Sequence, residues 1–125
     1  MTIYIFGNKA VSEDATPFRI LPSLQKKFPD IKFITADPTE NFPPEGERHP
    51  IILDTVMGLK EPTLLRLEDL QDSKKSPVTP HDYDLGLHLA LLKKLGKIDE
   101  ATIVGLPIYL SASKFELVNH IISSL

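Results

Sequence analysis

Short apolar runs recur along the chain and are separated by polar stretches and by stretches with helical spacing. Four of these runs are rich in β-branched or aromatic side chains and have the length of strands. They are residues 2–6, 31–36, 50–53 and 101–106. The 50–53 run is uninterrupted and ends in Asp54, which is typical of a strand covered on both faces. Residues 63–67 alternate weakly and predict a further strand, which could be antiparallel.

The first predicted helix lies between the first two strands. Thr16 and Pro17 could cap it, and Pro22 predicts a kink or a late start because proline lacks a backbone donor. Its apolar positions are Leu21, Leu24 and Phe28. Residues 41–48 contain two prolines and a glycine, which predicts an irregular loop before the central strand.

Thr79, Pro80 and His81 predict the start of a second helix, with Thr79 at the N-cap and Pro80 at the first helical position. Its leucine-rich face continues up to Gly96. His88 lies two turns after His81, so it either borders the same site or is an ordinary helix residue. Residues 112–125 predict an amphipathic closing helix.

Strands and helices alternate, which predicts an α/β fold. We expect three layers, α/β/α, in which an open, mainly parallel twisted sheet carries helices on both faces through right-handed crossovers. A length of 125 residues fits a single domain over residues 1–125. A domain of this size buries enough surface for a core without metal or disulfide support.

Composition narrows the possible functions. The chain has no cysteine, which excludes cysteine proteases, zinc–thiolate fingers, iron–sulfur clusters and disulfide-built modules. The net charge of the chain is −3, and its basic residues form small pairs but no continuous stripe, which argues against nucleic acid as a partner. Apolar runs are too short to span a membrane, and the first residues lack a basic leader, so we expect a cytoplasmic protein with no membrane partner. We expect a monomer.

Polar residues near the strand ends are the candidates for chemistry, because sites in open α/β sheets lie outside the carboxyl ends of the strands. Asp14 lies in the loop after the first strand, Asp54 ends the central strand, and His81 opens the second helix. Loops in these places can converge on one edge of the sheet. Two carboxylates and one imidazole form a ligand set suited to a divalent first-row metal with an open position.

Each of these residues also fits an ordinary structural role. A strand-end aspartate such as Asp54 commonly caps a turn. Asp14 lies beside a helix start, where a carboxylate interacts favourably with the helix dipole. His81 in a first helical turn is commonly a surface residue. The order and context of the three residues, taken together, are what favour a shared site.

Four motifs follow one another in the order found in a known enzyme family. Gly7-Asn8 followed by the acidic pair of residues 13–14 is one, and residues 51–56, with Asp54 after the apolar run, are the second. The others are residues 79–81, Thr-Pro-His, and residues 102–107, a strand that ends in Val-Gly-Leu-Pro. Together they resemble the hydrogenase maturation proteases, which process the large subunit of nickel–iron hydrogenases.

The resemblance implies that family's phosphorylase/hydrolase-like fold and a metal-dependent endopeptidase. The expected reaction removes a C-terminal extension from the nickel-loaded large-subunit precursor, which is the expected partner. By the resemblance, Asp14, Asp54 and His81 are the catalytic residues and the metal ligands, and the metal is nickel supplied by the precursor. The metal serves for recognition and can polarise the scissile carbonyl or activate water, with no separate nucleophile.

Two turns differ from the family pattern, and the chain is shorter than is usual for the family. Residues 9–11 carry no glycine, and Asp37-Pro38-Thr39 stands where the family has a glycine-rich turn. A second hypothesis is therefore a non-catalytic homologue that binds a hydrogenase subunit or another partner. A third is an unrelated small Rossmann-like ligand-binding domain, although no Gly-x-Gly-x-x-Gly fingerprint follows the first strand.

Overall fold

A computed structural model of the protein describes residues 1–37, 40–71 and 85–125. Within these residues the strands are β1 (Thr2–Ile5), β2 (Lys32–Thr35), β3 (Ile51–Thr55), β4 (Thr63–Arg66) and β5 (Thr102–Leu106). The helices are α1 (Thr16–Lys27), α2 (Leu67–Gln71), α3 (Leu85–Lys94) and α4 (Ala112–Ser123). A short 3₁₀ turn, Ser12–Asp14, precedes α1. No helix in this described part of the chain is long and apolar enough to cross a membrane.

The strands form one five-stranded sheet in the order β2-β1-β3-β5-β4. Neighbouring strands from β2 to β5 run parallel, and β4 pairs antiparallel with β5 at the edge. The predicted α/β class, the mainly parallel sheet and the antiparallel strand at residues 63–67 are confirmed. The carboxyl ends of β1, β2, β3 and β5 therefore lie along the same edge of the sheet.

Alternating side chains of the strands form two apolar clusters, one on each face of the sheet. Strand residues Ile3, Ile5, Leu53, Val104 and Leu106 pack with Leu24 of α1 and with Val118 and Ile122 of α4. On the opposite face, Tyr4, Ile52 and Ile103 pack with Leu67 and Leu70 of α2 and with Leu85, Leu89 and Leu92 of α3. Helices thus cover both faces, with α1 and α4 on one and α2 and α3 on the other.

The helix α1 runs without interruption from Thr16 through Pro22, so the expected late start is wrong. Thr16 is also not the N-cap, which is Ala15. The Thr16 side chain is almost completely buried, and its hydroxyl donates to the carbonyl of Ile108 at 2.7 Å. The hydroxyl therefore bonds to a distant loop and not, as the sequence suggested, to the backbone at the helix start. A buried hydroxyl needs a hydrogen-bond partner, and the fold supplies one at Ile108.

The helix α2 was not expected from the sequence. It has only five residues, which is less than the window in which helical periodicity can be recognised. Its start is stabilised by the Asp69 carboxylate, which accepts a hydrogen bond from the backbone N–H of Arg66 at 2.9 Å. This is the return half of a capping box, so an acidic residue three positions after the N-cap is the signal that could have identified the helix.

The predicted start of the second long helix, at residues 79–81, lies outside the described residues. Its predicted end is confirmed, since α3 finishes at Lys94 and Gly96 adopts a left-handed φ of 76°. The backbone N–H of Lys97 then bonds the carbonyl of Leu92 at 2.9 Å, as in a Schellman C-terminus.

The irregular segment of residues 40–50 crosses the face that carries α3 and is anchored at two points. The Phe42 ring is buried and packs edge-on against Tyr4 and Phe6, with ring centroids 5.3 and 4.9 Å away. At the other end, Arg48 forms an ion pair with Asp99 at 2.6 Å. The predicted loop therefore has no regular structure but is bound to the sheet and to the α3–β5 connection.

Candidate functional site

A cavity of about 490 Å³ lies at the carboxyl ends of β1, β2 and β3. Three of its lining residues are aspartates, namely Asp14, Asp37 and Asp54, and we call it the acidic cavity. Each aspartate comes from a different connection or strand of the sheet edge. The structure therefore brings Asp14 and Asp54 to the same cavity, although a long stretch of chain separates them.

Asp14 is placed by a close approach of two backbone segments. Gly7, two residues after the end of β1, has a φ of 131°, a conformation that residues with a β-carbon rarely adopt. A β-carbon at Gly7 would lie 2.5 Å from the backbone oxygen of Asp14 and 3.6 Å from its carboxylate Oδ1. Glycine at this position thus allows the loop to fold back and bring the Asp14 carboxylate to the end of β1.

The loop between Gly7 and Asp14 is ordered by its own hydrogen bonds. The Asn8 side-chain oxygen accepts from the backbone N–H of Ala10 at 2.9 Å, and the Asn8 carbonyl accepts from Val11 at 3.0 Å. Asn8 could contact a substrate or stabilise the turn, and these contacts support turn stabilisation. Asp14 then closes the 3₁₀ turn, with its N–H bonded to the carbonyl of Val11 at 2.9 Å.

Asp54 is held within a strand rather than after one. The strand β3 continues to Thr55, one residue past the predicted end, and Asp54 pairs in register with Gly105 of β5. Side-chain alternation places Asp54 on the same face as Ile52, which is the face covered by α2 and α3. Its half-buried side chain lines the acidic cavity.

Sequence reasoning did not select Asp37, which follows β2 and lines the same cavity. Its signal was its place directly after the second apolar run, the same rule that selected Asp54. Lys9 also lines the cavity, and its ammonium lies 5.9 Å from the centre of the Phe18 ring. The lining of the cavity thus combines three carboxylates with one cationic side chain and two aromatic rings.

His81, the third predicted ligand, lies outside the described residues. Within residues 1–37, 40–71 and 85–125, no three His, Cys, Asp or Glu side chains come close enough together to hold a metal ion. The described helix α3 begins at Leu85, four positions after His81 in the sequence, on the face to which Asp54 belongs. The prediction that His81 completes the site therefore stays a prediction.

His88 lies on α3 and lines a different cavity, of about 570 Å³, beside Phe42 and Lys97. It is half-buried. Of its two interpretations, the ordinary helix residue agrees with this placement, because the acidic cavity is lined by other side chains.

Carboxylate oxygens at a strand edge bind hard and borderline divalent cations, and an added imidazole favours first-row transition metals. The acidic cavity can therefore supply part of a metal site that is open on one side. Comparisons with protein-family models, with curated proteins and with solved structures gave no match. The chemical interpretation consequently depends on the residues of the site themselves.

Proposed function

We propose that the protein is a metal-dependent endopeptidase with the hydrogenase maturation protease fold. Its substrate is the nickel-loaded large-subunit precursor of a nickel–iron hydrogenase, from which it removes a C-terminal extension. The observation that carries this proposal is the presence of Asp14 and Asp54 in one cavity. Two separate motifs of the resemblance assign these residues as ligands of one metal, and shared lining of one cavity is what that assignment requires.

The position of the cavity supports the same conclusion. It lies at the carboxyl edge of a mainly parallel sheet, where α/β proteins bind their ligands. Asp14 and Asp54 reach it by different means, one through the close approach at Gly7 and the other through strand pairing with Gly105. A site held from two sides in this way positions its ligands before the substrate arrives, which is what metal binding with an open coordination position requires.

In the proposed reaction the nickel ion is part of the substrate. Asp14, Asp54 and His81 bind it when the precursor docks, so that only a loaded precursor is recognised. Water adds through its oxygen to the scissile carbonyl carbon, the carbon–nitrogen bond breaks, and the departing amine takes up a proton. A bound divalent metal accelerates such a hydrolysis by polarising the carbonyl or activating the water.

The direct test is to incubate the purified protein with nickel-loaded precursor and to measure the intact masses of both. We expect the precursor to lose one short C-terminal peptide, and precursor without nickel to keep its mass. A stable complex with unchanged mass would instead identify a binding-only homologue. If the mass of the precursor is unchanged and no complex forms, the remaining hypothesis is an unrelated ligand-binding domain.

Variants at the three proposed ligands test the site itself. Asp14→Asn, Asp54→Asn and His81→Gln remove ligand charge or basicity at nearly constant shape, and each should abolish the mass change. Asp30→Asn and His120→Gln are matched controls, because both side chains are exposed and Asp30 precedes β2, at the opposite edge of the sheet. A triple ligand variant that still shortens the precursor would overturn the proposal.

A further inference from the structure

A further cavity, of about 340 Å³, opens beyond the carboxyl ends of β3 and β5. We call it the tyrosine cavity, and it is lined by Gly58, Leu59, Lys60, Pro107, Ile108 and Tyr109. Three of these residues, Leu59, Pro107 and Ile108, provide apolar surface. Tyr109 is 87% exposed, more than any other large apolar side chain in the described part of the chain. An exposed aromatic ring beside apolar surface is typical of a place where another polypeptide binds.

Both walls of the tyrosine cavity are fixed by long-range contacts. On one side the carbonyl of Ile108 accepts the buried hydroxyl of Thr16 at 2.7 Å. On the other side the carbonyl of Lys60 accepts from the Lys114 ammonium of α4 at 3.2 Å. Lys114 also lies 3.9 Å from the Glu61 carboxylate. The cavity is therefore formed in advance, which lowers the entropic cost of binding a flexible segment.

The two cavities lie on opposite sides of Asp54 along the sheet edge. The acidic cavity is built from the ends of β1, β2 and β3, whereas the tyrosine cavity is built from the segments after β3 and β5. Asp54 pairs with Gly105, which comes two positions before Pro107 of the tyrosine cavity. Neighbouring strands lie about 4.8 Å apart and an extended peptide advances about 3.3 Å per residue, so roughly one to two residues of peptide cross from Asp54 to β5.

We propose that the tyrosine cavity is a subsite for the precursor peptide and holds an apolar side chain within about two residues of the cleaved bond. This inference rests on the proposed function, since a peptide cleaved beside Asp54 has to continue along the edge of the sheet. Besides Asp54, the lining of the acidic cavity has two carboxylates and a lysine together with two phenylalanine rings, and the carboxylates suit a metal. The described lining residues of the tyrosine cavity include no carboxylate, and Leu59 and Tyr109 there can pack against an apolar side chain of the substrate.

The test compares the kinetics of precursor processing by the wild-type protein and by Tyr109→Ala. Because the Tyr109 ring is so exposed, its removal should leave folding intact. We expect KM for nickel-loaded precursor to rise about tenfold with kcat unchanged, as for a group that binds substrate and transition state equally. Tyr109→Phe should restore most of the lost binding. Leu87→Ala, which removes a 67% exposed side chain on α3, is the matched control and should behave as wild type.

The possible results separate this inference from the proposed function. If the wild-type protein shortens the precursor and Tyr109→Ala has an unchanged KM, the subsite is wrong and the endopeptidase stands. If the wild-type protein binds the precursor without cleaving it and Tyr109→Ala weakens that binding about tenfold, the peptide contact stands and the endopeptidase is wrong. If the wild-type protein neither binds nor cleaves nickel-loaded precursor, both are overturned.

Discussion

Gly7 lies so close to Asp14 that a β-carbon on Gly7 would be 2.5 Å from the Asp14 backbone oxygen. A contact of that length is impossible without movement, and the partner is backbone rather than the flexible end of a side chain. The conformation of Gly7, with a φ of 131°, adds strain for any other residue. The position of the Asp14 carboxylate in the acidic cavity therefore depends on glycine at position 7.

We expect Gly7→Ala to lower the free energy of unfolding by about 1–3 kcal/mol through backbone strain and to displace Asp14. Precursor processing should fall at least as far as it does in Asp14→Asn. Urea unfolding and the mass assay measure the two effects. Gly46→Ala is the matched control, because Gly46 also has a positive φ, of 89°, but has open space around its α-carbon. That control should lose stability and keep processing; equal processing losses in both variants would contradict the role of Gly7.

A second prediction concerns the contact of α2 with α3. Glycine to alanine within an exposed helix usually stabilises it by about 1 kcal/mol, because alanine has the higher helix propensity. A β-carbon at Gly86 would lie 2.9 Å from Cβ of Leu70 and 3.1 Å from its carbonyl oxygen, so the two helices would have to separate. We therefore expect Gly86→Ala to lower the midpoint of thermal unfolding. A raised midpoint would mean that the two helices accommodate the added β-carbon without a loss of stability.

A third prediction concerns the hydroxyl of Thr16. Thr16→Val keeps the shape of the side chain and removes the donor to Ile108, which leaves a half-buried carbonyl with only the longer 3.4 Å contact from Arg19. Loss of a buried hydrogen bond of this kind costs about 1–2 kcal/mol, and chemical denaturation should show that decrease. Thr16→Ser retains the hydroxyl and should recover most of the stability. If Thr16→Val is at least as stable as Thr16→Ser, which keeps the hydroxyl and lacks only the methyl, the hydrogen bond to Ile108 does not contribute the expected stability.

Local sequence patterns predicted an element of the fold wherever that element was long or continuously apolar. The strand at residues 50–53 and the helix ending near Gly96 were predicted from such patterns, and Asp54 was selected by its place at a strand end. The helix α2 was missed because five residues give no periodicity. The cap at Thr16 was wrong because its hydroxyl has a partner 92 positions away, which no local pattern contains.

The residues of the acidic cavity also fall into those that a local pattern identifies and those that it does not. Asp14 and Asp54 were found because each stands in a recognisable motif at the end of a strand. Asp37 was not selected, since its turn differs from the glycine-rich turn of the family that the chain resembles. Gly7 acts on Asp14 through a close contact between two backbone segments. No local sequence pattern contains the distance between these segments, so the contact appears only in the three-dimensional structure.

The last prediction follows from the hydrogen bond between the Tyr4 phenol and the Glu47 carboxylate, at 3.0 Å. Burial of the phenol, together with the hydrogen bond to and the negative charge of Glu47, raises the pKa of Tyr4 to about 12 from its ordinary value of 10.0. The folded protein thus retains the Tyr4 proton at pH values where the unfolded chain releases it. This contribution to stability is complete below pH 10 and is lost as the pH rises from about 10 to about 12.

We expect the wild-type protein to lose stability across that interval, as measured by urea unfolding at a series of pH values. Glu47→Gln removes the carboxylate charge that favours the protonated phenol, so the loss of stability over the same interval should be smaller. Glu45→Gln, an exposed acid in the same segment, is the control and should follow the wild-type profile. Tyr4→Phe abolishes the titration and should show the shallowest profile of all. A wild-type profile indistinguishable from that of Tyr4→Phe would show that the phenol has the same proton affinity in the folded and unfolded chains.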